Sequence, residues 1–166
     1  MLPSVTVLVP NYRHARYLPE RLDSILAQTV VPNEVLLLDD CSPDNSLSIL
    51  TAYAAERPSW RVVANEHNSG SPFAQWNKGV GLAAFDYVWI AESDDAADPL
   101  LLETLLQTAQ TNPTAVLVYA QTVLMDEESR VLHSFQKNYD YLFGAQAERW
   151  KAPYFNRGTD EIREYF

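Results

Sequence analysis

Residues 89–95 read WIAESDD: Trp89, Ile90 and Ala91 extend an apolar run, and Glu92, Asp94 and Asp95 follow at once. Such a run reads as a buried strand that delivers its charges to one end of a sheet. Three carboxylates so close together repel one another unless a positive charge joins them. The identity of that charge decides what the stretch is for.

The same arrangement recurs upstream. Residues 5–9 are a β-branched run closed by Pro10, and residues 34–38 are an apolar run closed by Asp39 and Asp40. Between them Leu18, Leu22, Ile25 and Leu26 fall at helical spacing, with Pro19 in the first turn. The alternation continues. Ser46 is placed to cap a helix carrying Leu47, Leu50 and Ala54, residues 61–64 make a third strand, and Ser71-Pro72 opens another helix as N-cap and N1. Residues 87–91 are the fourth strand, Asp98-Pro99 starts a helix with Leu101, Leu105 and Leu106 on one face, and residues 115–120 are expected to form a fifth strand. Strands alternating with helices predict a parallel sheet covered on both faces. After residue 120 the rhythm changes: residues 121–125 and 130–135 flank the polar turn 126–129 as a hairpin, residues 137–157 are aromatic-rich and irregular, and Thr159 is placed to cap a last helix through Tyr165.

Composition limits the function classes. The chain has 166 residues, 12 basic against 22 acidic, and a net charge of −10, which repels a phosphate backbone and argues against nucleic acid as a partner. A single cysteine, Cys41, excludes an intrachain disulfide and fits a reducing cytosol. The N-terminal stretch has neither a basic start nor a long apolar run, so a soluble, cytoplasmic, unprocessed chain is expected, with peripheral membrane association as a further option.

In an open parallel sheet, ligands bind beyond the carboxyl ends of the strands. Three polar clusters fall there: PNYR at 10–13, DDCSPDNS at 39–46 and ESDD at 92–95. Carboxylate oxygens without nearby His or Cys suit Mg²⁺ or Mn²⁺, and such an ion relieves the repulsion among Glu92, Asp94 and Asp95 while carrying a phosphorylated ligand with it.

The stretches VTVLVPNYRHARYL, EVLLLDDCSPDNSL and YVWIAESDDAADP, in this order and spacing, resemble the donor-binding half of family 2 glycosyltransferases. The resemblance implies the Rossmann-like GT-A fold, with a mostly parallel central sheet flanked by helices. It implies residues 1–166 as one glycosyltransferase domain, 1–120 being the nucleotide-sugar-binding core and 121–166 the start of the acceptor-side part. It implies an inverting, metal-assisted transfer from a UDP- or dTDP-sugar to an acceptor hydroxyl, as in polysaccharide biosynthesis, on a saccharide, lipid-linked or protein acceptor. Carried onto this sequence, Pro10 and Tyr12 flank the nucleobase, Asn11, Asp39 and Asp40 meet the nucleotide, and Asp40 accepts from a ring N–H. Asp94 meets ribose and metal, Asp95 is the direct metal ligand, and Glu92 leads the acidic element. Mn²⁺ or Mg²⁺ is the implied cofactor.

Three positions depart from the family pattern: Arg13 stands where Asn is frequent, Cys41 where Gly is frequent, and Glu92 where Asp leads. In NSGSPFAQWNKG (68–79), Trp76 stands where a basic residue is often found. The family's catalytic base follows a further strand, so it is expected beyond residue 166, which makes the chain look truncated and open to self-association. Asp160, Glu161 and Glu164 then read as surface helix acids.

Simpler readings stand beside these. Asp98 reads as an N-cap, and Asp44 and Asn45 as turn residues. Asp39 has a loop-orienting role as its alternative. His14, His67 and His133 lack metal-ligand spacing and read as surface or loop histidines. Two other functions compete. A phosphoacceptor receiver domain requires its acidic pair after the first strand, whereas the pairs here follow the second and fourth. A nucleotide-sugar-binding module without catalysis is the stronger rival.

Overall fold

The computed structural model describes residues 1–165; Phe166 and the side chains of Gln146 and residues 162–165, Glu164 among them, lie outside the described residues. The backbone divides into two compact units, one ending at Val118 and the other beginning at Tyr119.

The first unit is an α/β sandwich. Strands β1 (Val5–Asn11), β2 (Glu34–Asp39), β3 (Trp60–Ala64) and β4 (Tyr87–Ile90) alternate with helices α1 (Leu18–Leu26), α2 (Ser46–Ala54), α3 (Pro72–Leu82) and α4 (Leu101–Thr111). The strands form one all-parallel sheet in the order β3-β2-β1-β4. Side chains alternate between its faces, as the pleat requires. On one face Val7, Val9, Val35 and Leu37 pack with Leu18, Leu22 and Ile25 of α1 and Leu50 of α2. On the other, Leu8, Leu36 and Leu38 form a second cluster. There α3 comes so close that a Cβ on Gly79 would lie 2.7 Å from Leu8 Cδ1 and 2.8 Å from Leu38 Cδ1. Glycine permits this approach because it has no side chain.

The four strands and their helices follow the sequence reading, but the expected fifth strand does not form. Among the described residues, 115–120 join neither sheet, and Val116 and Leu117 are 96% and 76% exposed. A short apolar run is a strand only if an edge accepts its backbone hydrogen bonds. Helix starts also shift. Helix α4 begins at Leu101: Asp98 Oδ1 accepts from Leu100 N instead of capping the helix, and the buried Gln28 Oε1 accepts from Leu102 N at 2.9 Å. Asn45, not Ser46, holds the N-cap position of α2. Ser71 is the N-cap residue of α3 with Pro72 following, though its hydroxyl makes no capping bond.

The second unit opens with the expected hairpin, β5 (Val123–Met125) paired antiparallel with β6 (Val131–Ser134). Asp126 Oδ1 accepts from Glu128 N and Arg130 N across the turn. The aromatic stretch read as irregular is helical as far as Lys151, with α5 (Gln136–Phe143) followed by a 3-10 helix (Gly144–Lys151), and is irregular, as expected, over residues 152–157. Tyr139 and Phe143 recur at helical spacing and both meet Trp150, at 4.7 and 5.0 Å between ring centroids. Helix α6 (Gly158–Tyr165) starts just before Thr159. Glu161 is no surface acid: it accepts from Arg149 Nη2 at 2.7 Å, Asn156 Nδ2 at 2.7 Å and Tyr154 Oη at 3.1 Å.

Candidate nucleotide-sugar site

The chain runs from β1 to β2 and β3 on one side of the sheet and returns to β4 on the other, which makes the β1–β4 gap the switch point of the sheet. Pro10 helps to open that gap. Leu8 O accepts from Ala91 N on the β4 side at 2.8 Å, and Pro10, two residues on, faces the same way with no N–H to give. The β1–β4 ladder runs only from Val5↔Tyr87 to Leu8↔Ile90. A cavity of about 280 Å³ lies here, lined by Pro10, Asn11, Tyr12 and His14 from the first strand end, Asp40 from the second, Glu92 and Ser93 from the fourth, and residues between Asn68 and Gln75.

Asp39 and Asp40 do different work. Asp39 is buried and ties the loops together: its Oδ1 accepts from Asn11 Nδ2 at 2.9 Å and its Oδ2 from Ser42 N at 3.0 Å. Asp44 continues the tie, accepting from Ser46 N and Ala15 N, as a turn residue should. Asp40 lines the cavity. Its Oδ1 accepts from Asn65 Nδ2 at 2.6 Å, Gln75 Nε2 at 2.7 Å and Ser69 N at 2.9 Å, while among the described residues Oδ2 accepts only from Ser69 Oγ at 2.7 Å. Burial alone would push this carboxyl up, but the donors from Ser69, Asn65 and Gln75 outweigh it and hold it below the usual carboxylate range. Arg13 and Cys41, two of the departures from the family pattern, adopt φ of 63° and 58°, the left-handed region that Asn and Gly enter most readily.

The acidic loop answers the question raised by its sequence. A positive charge sits within it, and it comes from α1. Arg21 is 3% exposed, its Nε donates to Glu92 O at 2.7 Å, and its Nη2 lies 3.7 Å from Asp95 Oδ2. The guanidinium also stands 5.9 Å from the centroid of Trp89. Burial lowers the Arg21 pKa, against the attraction of Asp95, Asp94, Glu92 and Glu20. Glu92 Oε1 accepts from Trp76 Nε1 at 2.8 Å. Burial and the neighbouring Asp94 and Asp95 push the Glu92 carboxyl up, and the Trp76 and Arg21 contacts only partly offset this. Asp95 is also pushed up, by burial and by Asp94, with Arg21 opposing. His14 Nδ1 lies 2.7 Å from Ser93 Oγ and bridges the first loop to this one.

Sequence reasoning missed Arg21 and His14 as parts of the site. Arg21 had a signal: it interrupts the apolar stripe Leu18, Leu22, Ile25. His14 had none. Pro10, Asn11, Tyr12, Asp40 and Glu92 come together around one cavity, whereas Asp39 supports it from below through Asn11, and Asp94 and Asp95 stand exposed beside it, Asp95 at 66%.

Among the described residues no group of three or more His, Cys, Asp or Glu converges to hold a metal ion by protein ligands alone. The exposed carboxylates of Asp94 and Asp95 nevertheless suit Mg²⁺ or Mn²⁺, which commonly takes one or two carboxylates and fills its shell with water and substrate phosphate. Among the described residues no helix is long and apolar enough to cross a membrane.

Comparison with known proteins bears on the family and the fold. The chain is 35% identical over 114 residues to the glycosyltransferase GlyG of Streptococcus pneumoniae, covering 69% of this chain and 38% of GlyG. The structure of Staphylococcus aureus TarS matches with a TM-score of 0.61 at 28% identity, covering 74% of this chain and 21% of TarS. A TarS fragment, residues 1–349, in complex with UDP-GlcNAc matches at 0.60 and 24% identity over 76% of this chain and 42% of the fragment. The mannosyltransferase PcManGT of Pyrobaculum calidifontis, in complex with GDP-Man and Mn²⁺, matches at 0.62 and 24% identity over 76% of this chain and 36% of its own, a likeness of fold. The chain thus spans less than half the length of each of these proteins, and its architecture is of the GT-A type. The family model for glycosyl transferase family 2 matches residues 6–160, and the chain belongs to that family.

Proposed function

We propose that the cavity at the β1–β4 gap takes the nucleoside of a UDP- or dTDP-sugar, and that this chain binds the donor for an inverting transfer to an acceptor hydroxyl in polysaccharide biosynthesis. One observation carries the reading: Asp40 stands in the same cavity as Pro10, Asn11, Tyr12 and Glu92 although they come from three strand ends. Pro10 and Tyr12 flank the base. Asp40 Oδ2, which has one internal donor where Oδ1 has three, takes the ring N–H of uracil or thymine. Asp39 and Asn11 act together, holding the loop that carries Tyr12.

The diphosphate runs from the cavity to the acidic loop, where Asp94 meets ribose and metal and Asp95 is the direct ligand of Mn²⁺ or Mg²⁺, with Glu92 behind them. A divalent ion bound there supplies Lewis-acid stabilisation of the negative charge on the departing diphosphate. The acceptor hydroxyl needs a base within hydrogen-bond reach. Asp40 is committed to four internal donors and Glu92 to Trp76, so these two are assigned to donor binding and the base lies elsewhere. That division favours a binding role for this chain alone over multiple-turnover transfer.

The test is thermal unfolding with UDP, dTDP, GDP and ADP, each with and without Mn²⁺. A ligand at a hundredfold excess over its Kd adds about 2.7 kcal/mol of apparent stability. UDP or dTDP is expected to stabilise more than GDP or ADP, and Mn²⁺ to add to the effect. Asp95→Asn should remove the Mn²⁺-dependent part and leave the rest. No stabilisation by UDP or dTDP would refute the reading.

A further inference from the structure

Arg21 is placed where charge is most costly and most constrained. It lies on the buried face of α1 beside Leu18, Leu22 and Ile25, with almost no solvent contact. Burying a guanidinium costs several kcal/mol unless its charge and its donors are matched. The matching is incomplete: Nε has Glu92 O and Nη2 has Asp95, but Nη1 is buried with no partner among the described residues. For packing alone, a leucine or methionine in this stripe would serve at lower cost. What Arg21 provides instead is a fixed bond to the backbone of the acidic loop and a fixed charge beneath its carboxylates. With Glu92, Asp94 and Asp95 ionised, Arg21 leaves the loop two net negative charges, the complement of one divalent ion. Trp76 and His14 tie the loop through the side chains of Glu92 and Ser93, whereas its backbone bend is closed by Asp95 N donating to Glu92 O at 3.3 Å, the carbonyl that Arg21 also engages.

We infer that Arg21 is a positioning residue for the diphosphate end of the donor site: an internal cation that holds the Glu92–Asp95 bend before any ligand arrives and so sets how the loop binds a divalent ion together with a nucleoside diphosphate. The inference rests on the donor-binding reading above. Arg21 touches neither metal nor diphosphate; it acts through Glu92 O and the Asp95 carboxylate. Supporting groups of this kind are worth roughly 10–100-fold in metal affinity.

The test uses the chain with Arg21→Met, which keeps the apolar volume beside Trp89, and Arg21→Lys, which keeps the charge but not the Nε bond. Calorimetry follows uridine and UDP binding with and without Mn²⁺, and hydrogen exchange follows the backbone of residues 89–98. Arg21→Met is expected to lose roughly 10–100-fold of the Mn²⁺-dependent gain in UDP affinity, to bind uridine as the parent chain does, and to exchange faster at residues 92–95 with residues 34–39 unchanged. Arg21→Lys should recover part of the UDP affinity. Equal losses for uridine and UDP, or unchanged exchange at residues 92–95 in the Met variant, would overturn the inference. If the parent chain binds no UDP, the donor reading falls, and the exchange measurement alone still decides what Arg21 does.

Discussion

Trp76 Nε1 donates to Glu92 Oε1 at 2.8 Å, so two positions that depart from the family 2 pattern meet in one hydrogen bond. A basic residue at 76 would bring a charge to the acidic loop; an indole brings a donor without one. The longer reach of Glu over Asp suits the contact, and Phe73 supports the indole edge-on at 5.0 Å. Glu92 is half-buried, and burial with the neighbouring Asp94 and Asp95 pushes its carboxyl up, a rise that the Trp76 donor partly offsets.

Removing that donor should push Glu92 up further. Trp76→Phe is expected to cost about 1–2 kcal/mol at neutral pH. Because the folded-state pKa of Glu92 lies above its unfolded value, protonation stabilises the fold at low pH, and this contribution is lost as pH rises through the folded value. The parent chain carries this loss, and Trp76→Phe should enlarge it and move it to higher pH. Urea midpoints across a pH series check the shift.

Asp40 titrates in the opposite sense. Its folded-state pKa is depressed, so its contribution is present above the ordinary carboxylate value and lost as pH falls through the folded one. Asp40→Asn should flatten that acid limb. Asp40→Ala, which leaves Asn65, Ser69 and Gln75 without their acceptor, should cost about 2–4 kcal/mol and weaken UDP more than a diphosphate without a base. Chemical unfolding and calorimetry on the same variants read both effects.

Cys41 sits at φ 58° with its side chain exposed, where a Cβ costs about 1–2 kcal/mol and glycine gives back about 0.5–1 kcal/mol in chain entropy. Cys41→Gly should therefore gain about 0.5–1 kcal/mol in urea unfolding. Cys41→Val, β-branched at the same φ, should lose at least about 1 kcal/mol.

Gly79 is a packing requirement of the opposite face. Gly79→Ala forces Leu8 and Leu38 aside and should cost about 1–3 kcal/mol. Adding Leu38→Val should recover part of it, a coupling that a double-mutant cycle measures.

Much of this molecule is written locally. The β-branched and apolar runs at 5–9, 34–38, 61–64 and 87–91 specify strands by composition, and the stripe Leu18, Leu22, Ile25 specifies the helix between the first two. The carboxylates that end those runs mark the crevice, because a parallel sheet places all its strand ends on one side. Short-range periodicity and turn chemistry are enough for these features, including the hairpin around residues 126–129.

What only the tertiary structure decided are the pairings between segments far apart in the chain. The run at 115–120 has strand composition, yet it joins neither sheet among the described residues. The start of α4 is capped by Gln28, 74 residues earlier, and not by Asp98. Asp39 and Asp40 are adjacent and identical as letters, yet one ties loops and the other lines the cavity, because successive positions at a strand end face different neighbours. Arg21 is 71 residues from the carbonyl it holds, and no local pattern pairs them. A carboxylate's or guanidinium's role depends on the dielectric and the partners that folding brings to it, and those are properties of the packed chain.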